Sequence, residues 1–215
     1  PYGILITLGA TVALSGKPGF FFQEYSMKLV KLLLIGAVVL VPDLAHGLAA
    51  QDKIECRIIY VPTEVTVVEK MFEMAKVNKN DIVFDLGCGD GRIVCLAAKT
   101  FGAKGVGVDI DPERIKDCMA TMKKYGVTKE LVDIRQGDAL KVKDLGRASV
   151  VMLYMLPEFM EKLEPQLAKL KPGTRIVAHD YPFPNTQADE IVEFKGPIRD
   201  HTLYLWTIKE KKKGN

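Results

Sequence analysis

The sequence predicts an α/β chain built on a doubly wound, mostly parallel sheet. Two observations carry this. From Cys56 onward, short apolar runs alternate with stretches of helical periodicity. One of those runs ends in a glycine-rich turn that opens into a helical pattern, Val83-Phe84-Asp85-Leu86-Gly87-Cys88-Gly89-Asp90-Gly91-Arg92. Strands joined through helices are covered on both faces, so their runs are apolar nearly throughout.

In chain order, a helix is expected from Glu64 to about Ala75, with Val65, Val68, Met71, Phe72 and Ala75 on one stripe. Strands are expected near 82–86, 105–109, 131–136, 149–153, 174–179 and 202–208, and helices near 91–101, 112–125 and 157–170. Asp111-Pro112-Glu113 is a good helix start: Asp as N-cap, Pro at the first helical position, acid in the first turn. Lys171-Pro172-Gly173 stops the helix before it.

The turn after the first strand carries the chemistry. Gly87, Gly89 and Gly91 remove the Cβ atoms that would keep a cofactor away from the backbone. The spacing is not that of a dinucleotide loop, whose third glycine follows the second by three positions. Asp85 before the turn would also repel a pyrophosphate.

This string resembles motif I of the class I S-adenosylmethionine-dependent methyltransferases, an apolar pair followed by DxGxGxG. The resemblance implies a seven-stranded, Rossmann-like methyltransferase sheet whose last strand, His201 to Ile208, is antiparallel. It implies S-adenosyl-L-methionine as cofactor, with Gly87, Gly89 and Gly91 under its methionine part and Asp85 acting through the ammonium group. Acid near the turn suits a ligand carrying a sulfonium and an ammonium. An aminopropyl-transfer enzyme is the related alternative, but its turn usually has a further glycine where this chain has Cys88-Gly89.

Two further segments follow in order. Lys104-Gly105-Val106-Gly107-Val108-Asp109 reads as a buried strand ending in acid, and a carboxylate there can accept hydrogen bonds from both ribose hydroxyls. Ile110 and Asp111 fall beside the adenosine, with the helix cap as the competing explanation of Asp111. After the third strand comes Gly137-Asp138-Ala139-Leu140. The resemblance gives Asp138 to the adenine amino group with the Ala139 backbone beside it; a cap on the following turn is the other explanation of Asp138.

Tyr60-Val61-Pro62-Thr63 ahead of the first helix, joined to the Gly89-Asp90-Gly91-Arg92 turn, is similar to a narrower group. These are the small membrane-attached protein-lysine methyltransferases of the mitochondrial carrier and ATP synthase c-subunit type, with their bacterial relatives. The resemblance covers roughly residues 57–160. The chain departs from it at Ile110-Asp111-Pro112, where Asn-Pro usually follows the acid, and at Cys88, where Ser is frequent. It implies a methyl acceptor that is an amine, a protein lysine, on a partner at or near a membrane. The fourth strand ends Leu153-Tyr154-Met155-Leu156-Pro157 without the Asn-Pro-Pro-Tyr loop of nucleobase and glutamine amine methyltransferases. The fifth ends Ala178-His179-Asp180-Tyr181-Pro182. Tyr60, Tyr154, His179 and Asp180 are the candidate catalytic residues: aromatic walls to desolvate an amine, and groups to accept its hydrogen bond. A small-molecule acceptor and a non-catalytic S-adenosylmethionine-binding module are the alternatives; an open acceptor pocket favours the enzyme.

Composition limits the partners. The 215 residues are 48% hydrophobic and 27% charged, with a net charge of +3, of which the first 50 residues supply +1. That is not the basic balance of a nucleic-acid binder, so no nucleic-acid partner is expected. Cys56, Cys88, Cys95 and Cys118 form no Cys-x-x-Cys pair and no histidine cluster adjoins them, so no metal is expected.

The N-terminal region differs in kind. Met27-Lys28-Leu29-Val30-Lys31, the uncharged run Leu32 to Val41, and small residues from Ala45 to Ala50 have the pattern of a secretory signal or a membrane anchor. Residues 1–26 are expected to be an upstream extension, 27–50 the signal or anchor, 51–210 the methyltransferase domain and 211–215 a basic tail. Export or membrane association is expected, with a conflict: a cleaved signal would carry the domain away from the cytoplasmic cofactor, whereas an uncleaved anchor would not.

Overall fold

The computed structural model describes residues 60–196 and 198–210. The expectations for residues 1–26, 27–50 and 211–215, and for 51–59 with Cys56, lie outside the described residues. Four α-helices are described: α1 Val65–Ala75, α2 Arg92–Phe101, α3 Pro112–Tyr125 and α4 Pro157–Leu167. They alternate with seven strands: β1 Ile82–Leu86, β2 Lys104–Asp109, β3 Val132–Gln136, β4 Val150–Leu153, β5 Arg175–His179, β6 Glu190–Lys195 and β7 Asp200–Thr207. No described helix is long and apolar enough to cross a membrane.

The strands form one sheet in the order β3-β2-β1-β4-β5-β7-β6. β1 pairs parallel with β2 and β4, β2 with β3, and β4 with β5. β7 runs antiparallel between β5 and β6. This is the doubly wound sheet with an antiparallel last strand that the sequence implied. The order reverses between β1 and β4, so their carboxyl ends open a crevice where such sheets bind ligands.

Both faces of the sheet are covered. On one, Val67, Met71 and Phe72 of α1 and Ile93 and Leu96 of α2 pack with Val83, Met152, Val177 and Leu203. On the other, Met160, Leu163 and Leu167 of α4 pack with Phe84, Leu86, Val151, Leu153, Ile176 and Trp206. Burying side chains of this size contributes about 1.5–3 kcal/mol each, which fixes the rigid frame on which the turns hang.

Three local expectations need correction. β6 was not anticipated, because every residue in it is exposed or half-buried and only Val192 and Phe194 lean on the core. α4 stops at Leu167 rather than near 170; after Ala168 N bonds Glu164 O, the next N–H groups, of Lys169 and Leu170, bond three residues back and the chain leaves the α-helix. Val65 is exposed and Val67 is fully buried, so the apolar face of α1 is wider and turned from the expected stripe. The remaining boundaries fall within two residues of expectation, and Asp111 caps α3 by accepting from Glu113 N at 2.8 Å.

Candidate functional site

The glycine turn after β1 is tied to β2. Gly87 N and Cys88 N donate to Val108 O at 2.8 and 3.0 Å. Asp109, at the end of β2, accepts from Gly89 N through Oδ2 at 2.8 Å and from Asp111 N through Oδ1 at 3.0 Å. One carboxylate thus pins the turn and the start of α3, and its remaining lone pairs are free for a ligand at the end of the strand. Gly87 and Gly89 have φ of 79° and 54°, which other residues rarely adopt. A Cβ on Gly89 would enter the Tyr60 ring, and one on Gly87 would meet Met155 Sδ. Gly91, at φ 71°, is the N-cap of α2.

Asp85 is the electrostatic centre of this half. It is 2% exposed, and its Oδ2 has no hydrogen-bond partner among the described residues. Burial, then the negative charges of Asp109 and Asp90, push its carboxyl up to about 8. A buried acid with an orphaned oxygen beside bare glycine backbone fits a ligand that brings a cation. Asp138 accepts from Leu140 N at 2.9 Å and pairs with Lys141 Nζ at 3.1 Å, so its capping role is realised. It also lines a cavity of about 360 Å³ with Val108, Gln136, Gly137 and Lys141. Ala139 is buried next to Asp138, and Ile110 stands 68% exposed beside Asp109.

The structure brings three of the four candidate catalytic residues together and places the fourth elsewhere. Tyr154 lies over His179 with ring centroids 4.1 Å apart, and over Tyr181 at 6.2 Å. Asp180 Oδ2 lies 3.4 Å from His179 Nε2. Tyr60 instead sits on the glycine turn, its Oη accepting from Asp90 N at 3.4 Å and its ring 4.6 Å from the Arg114 guanidinium. Burial is the main cause pushing its phenol up to about 12.

Both ring nitrogens of His179 are engaged. Nδ1 is 3.5 Å from Thr63 Oγ1, and Nε2 is 2.8 Å from His201 Nδ1. Both histidines are buried, and His201 Nε2 has no partner among the described residues. Burial holds His179 down to about 4, so it stays neutral at ordinary pH. One ligand atom each from His179, Asp180 and His201 lie within 4.8 Å of one another. Arg199 Nη2 donates to Asp180 Oδ2 at 2.5 Å, however, and a guanidinium on that carboxylate opposes a metal cation. The arrangement is a hydrogen-bonded cluster.

Sequence reasoning missed Arg199 and His201, and it held Thr63 only as part of the Tyr60-Val61-Pro62-Thr63 motif, without its link to His179. It also missed that Arg92 bridges the glycine turn and the segment before α1, holding Asp90 at 2.7 Å and donating to Thr63 O at 3.0 Å.

A glycine turn pinned by an acid at the next strand end, a buried acid beneath it and a polar cluster beyond β4 and β5 define an S-adenosylmethionine-dependent methyltransferase. Residues 85–190 match the family model for the ANTKMT methyltransferase domain. A protein-lysine N-methyltransferase of Saccharolobus islandicus is 44% identical over 155 residues, covering 71% of this chain and 95% of that one. The ATP synthase c-subunit lysine N-methyltransferase of Xenopus laevis is 31% identical over 61% of this chain, which spans 57% of that relative's length. A solved structure titled as an RNA methyltransferase from Salinibacter ruber, holding S-adenosyl-L-homocysteine, superposes with a TM-score of 0.66. It is 44% identical, over 72% of this chain and 98% of that one. The chain belongs to this family of S-adenosylmethionine-dependent methyltransferases.

Proposed function

We propose that the chain transfers a methyl group from S-adenosylmethionine to the amine of a protein lysine. The observation that carries this is the 44% identity to the Saccharolobus protein-lysine N-methyltransferase over 95% of that protein's length. The acceptor side has fitting chemistry: an acid, Asp180, 3.4 Å from His179, whose ring lies under Tyr154, itself stacked with Tyr181. In this reading Gly87, Gly89 and Gly91 floor the methionine moiety, with Asp85 toward its ammonium. Asp109 takes the ribose hydroxyls, and Ile110, Asp111, Asp138 and Ala139 border the adenosine.

Bound cofactor supplies a methyl on a positively charged sulfur, which leaves as a neutral thioether carrying the electron pair of the broken bond. The chain's own residues align and prepare the acceptor. A lysine arrives as ammonium and must lose one proton, released to solvent water, before its lone pair can attack. Walls of Tyr154 and Tyr181 take water from the amine and favour its neutral form. Asp180 accepts a hydrogen bond from a remaining N–H of the amine, and Thr202 N, donating to its Oδ1 at 3.2 Å, keeps it in place.

A second reading has one specific support: the Salinibacter structure, equally identical, is titled as an RNA methyltransferase. The net charge of +3 is small for a chain that must hold phosphates. Tritium-labelled cofactor incubated with membrane, soluble-protein and RNA fractions separates the two. Label on acid-stable lysine derivatives of protein is expected; label on RNA with none on protein would overturn the lysine assignment. We further propose that residues 27–50, as signal or anchor, bring the domain to the membrane where its acceptor resides.

A further inference from the structure

The acceptor side already holds a cation of the chain's own. Arg199 stands in the turn between β6 and β7, and its Nη2 donates to Asp180 Oδ2 at 2.5 Å and to Tyr154 Oη at 3.1 Å. The Arg199 side chain is 46% exposed and that of Asp180 only 16%, so the guanidinium lies outward of the carboxylate. Asp180 itself is fixed. Its Oδ1 accepts from Thr202 N at 3.2 Å, and its backbone has φ of 62°, a left-handed conformation unusual outside glycine. Backbone in that region is strained and persists where its surroundings demand it. Here it turns the carboxylate across the end of β5, between the buried histidines and the exposed arginine. The guanidinium end of this pair stands in solvent and is screened there. A cation arriving from solvent can therefore exchange with Arg199 at little cost, while Asp180 keeps its place.

We propose that Arg199 holds the position of the acceptor's ammonium group: an entering lysine binds Asp180 by displacing Arg199, and this exchange selects acceptors that arrive positively charged. This rests on the lysine reading above and extends it to the charge state recognised. A lysine, with an unperturbed pKa of about 10.4, replaces one cation by another on the same carboxylate. A neutral amide or nucleobase amine offers Asp180 no charge and leaves Arg199 in place. An RNA acceptor would do the opposite, since its phosphates would pair with Arg199 rather than expel it. The sign of the Arg199 effect therefore reports the class of acceptor.

The test uses the full chain, tritiated S-adenosylmethionine and poly-L-lysine as acceptor probe, with R199A, R199Q and D180N beside the wild type. Affinity for S-adenosylhomocysteine by calorimetry checks that each variant is folded. Both Arg199 variants should lower the KM for poly-L-lysine about three- to tenfold with kcat within about twofold, and D180N should raise it at least about tenfold. K195A, in the same hairpin, removes an equal charge without touching Asp180 and should leave the KM unchanged. A KM that is unchanged or raised in R199A, or lowered equally by K195A, would overturn the assignment. Absence of label on poly-L-lysine with the wild type would sink the lysine reading and the Arg199 assignment with it. Label with the wild type and no KM change in R199A sinks the Arg199 assignment alone.

Discussion

Asp85 is the residue whose ionisation should respond most to the cofactor. In the cofactor-free fold its carboxyl is pushed up to about 8, chiefly by burial, against 3.8 for an unperturbed Asp. The unfolded chain ionises near the lower value and the folded chain near the higher. The relative stability that Asp85 gives the cofactor-free fold is therefore fully present below about pH 4 and is lost as pH rises toward 8. An ammonium beside Oδ2 favours the charged form and reverses this. Binding of S-adenosylmethionine at pH 6.5 should thus release protons, seen as a dependence of the calorimetric enthalpy on buffer ionisation. Asp85→Asn should remove most of that release. If wild type and variant release the same number of protons, Asp85 does not face the ammonium. What the sequence carried at this scale was local. Asp85, Asp109 and Asp138 each stand at or just beyond the end of a strand, so a strand and a turn read in one short window are enough to find them. Thr63 was marked only as part of the Tyr60-Val61-Pro62-Thr63 motif, and Arg199 and His201 not at all, because they reach His179 and Asp180 across the fold with no spacing to pair them.

Among elements, the glycine turn and the segment Tyr60–Thr63 belong to one unit. The turn lies against Tyr60, and Arg92 at the start of α2 donates to Thr63 O. Gly89→Ala meets two costs: a backbone at φ 54° and a Cβ driven into the Tyr60 ring. It should destabilise the fold by about 1–3 kcal/mol and weaken cofactor binding. Adding Tyr60→Ala to Gly89→Ala should recover the steric part, so a double-mutant cycle in thermal unfolding should show coupling above about 0.5 kcal/mol. Additive losses would mean that the Tyr60 ring does not rest on the turn. Legibility at this scale followed burial. β1, β2, β4 and β5 are apolar on both faces and stood out as runs. β6 is an edge strand of mixed polarity, Glu190-Ile191-Val192-Glu193-Phe194-Lys195, too exposed for its weak alternation to stand out from loop. The seventh strand came from the family resemblance, not from the residues.

At the scale of the whole chain, the sheet and both halves of the candidate site lie within residues 60–210, with α1 packed on β5 and β7 to close the core. Every residue given a role in cofactor binding falls between Asp85 and Ala139. A protein beginning at Gln51 should therefore bind S-adenosylhomocysteine within about threefold of the full chain, because binding depends on a frame that keeps its apolar core. Membrane attachment should separate cleanly from this. If residues 27–50 carry the domain to the membrane, the full chain should sediment with lipid vesicles and the protein beginning at Gln51 should stay in the supernatant, with equal cofactor affinity. Co-sedimentation of both would move the attachment to the domain itself; sedimentation of neither would remove the membrane from the proposal. A large loss of cofactor affinity on truncation would mean that residues before Gln51 complete the site. In that case Tyr60, which covers the turn in this structure, would be the first contact to re-examine.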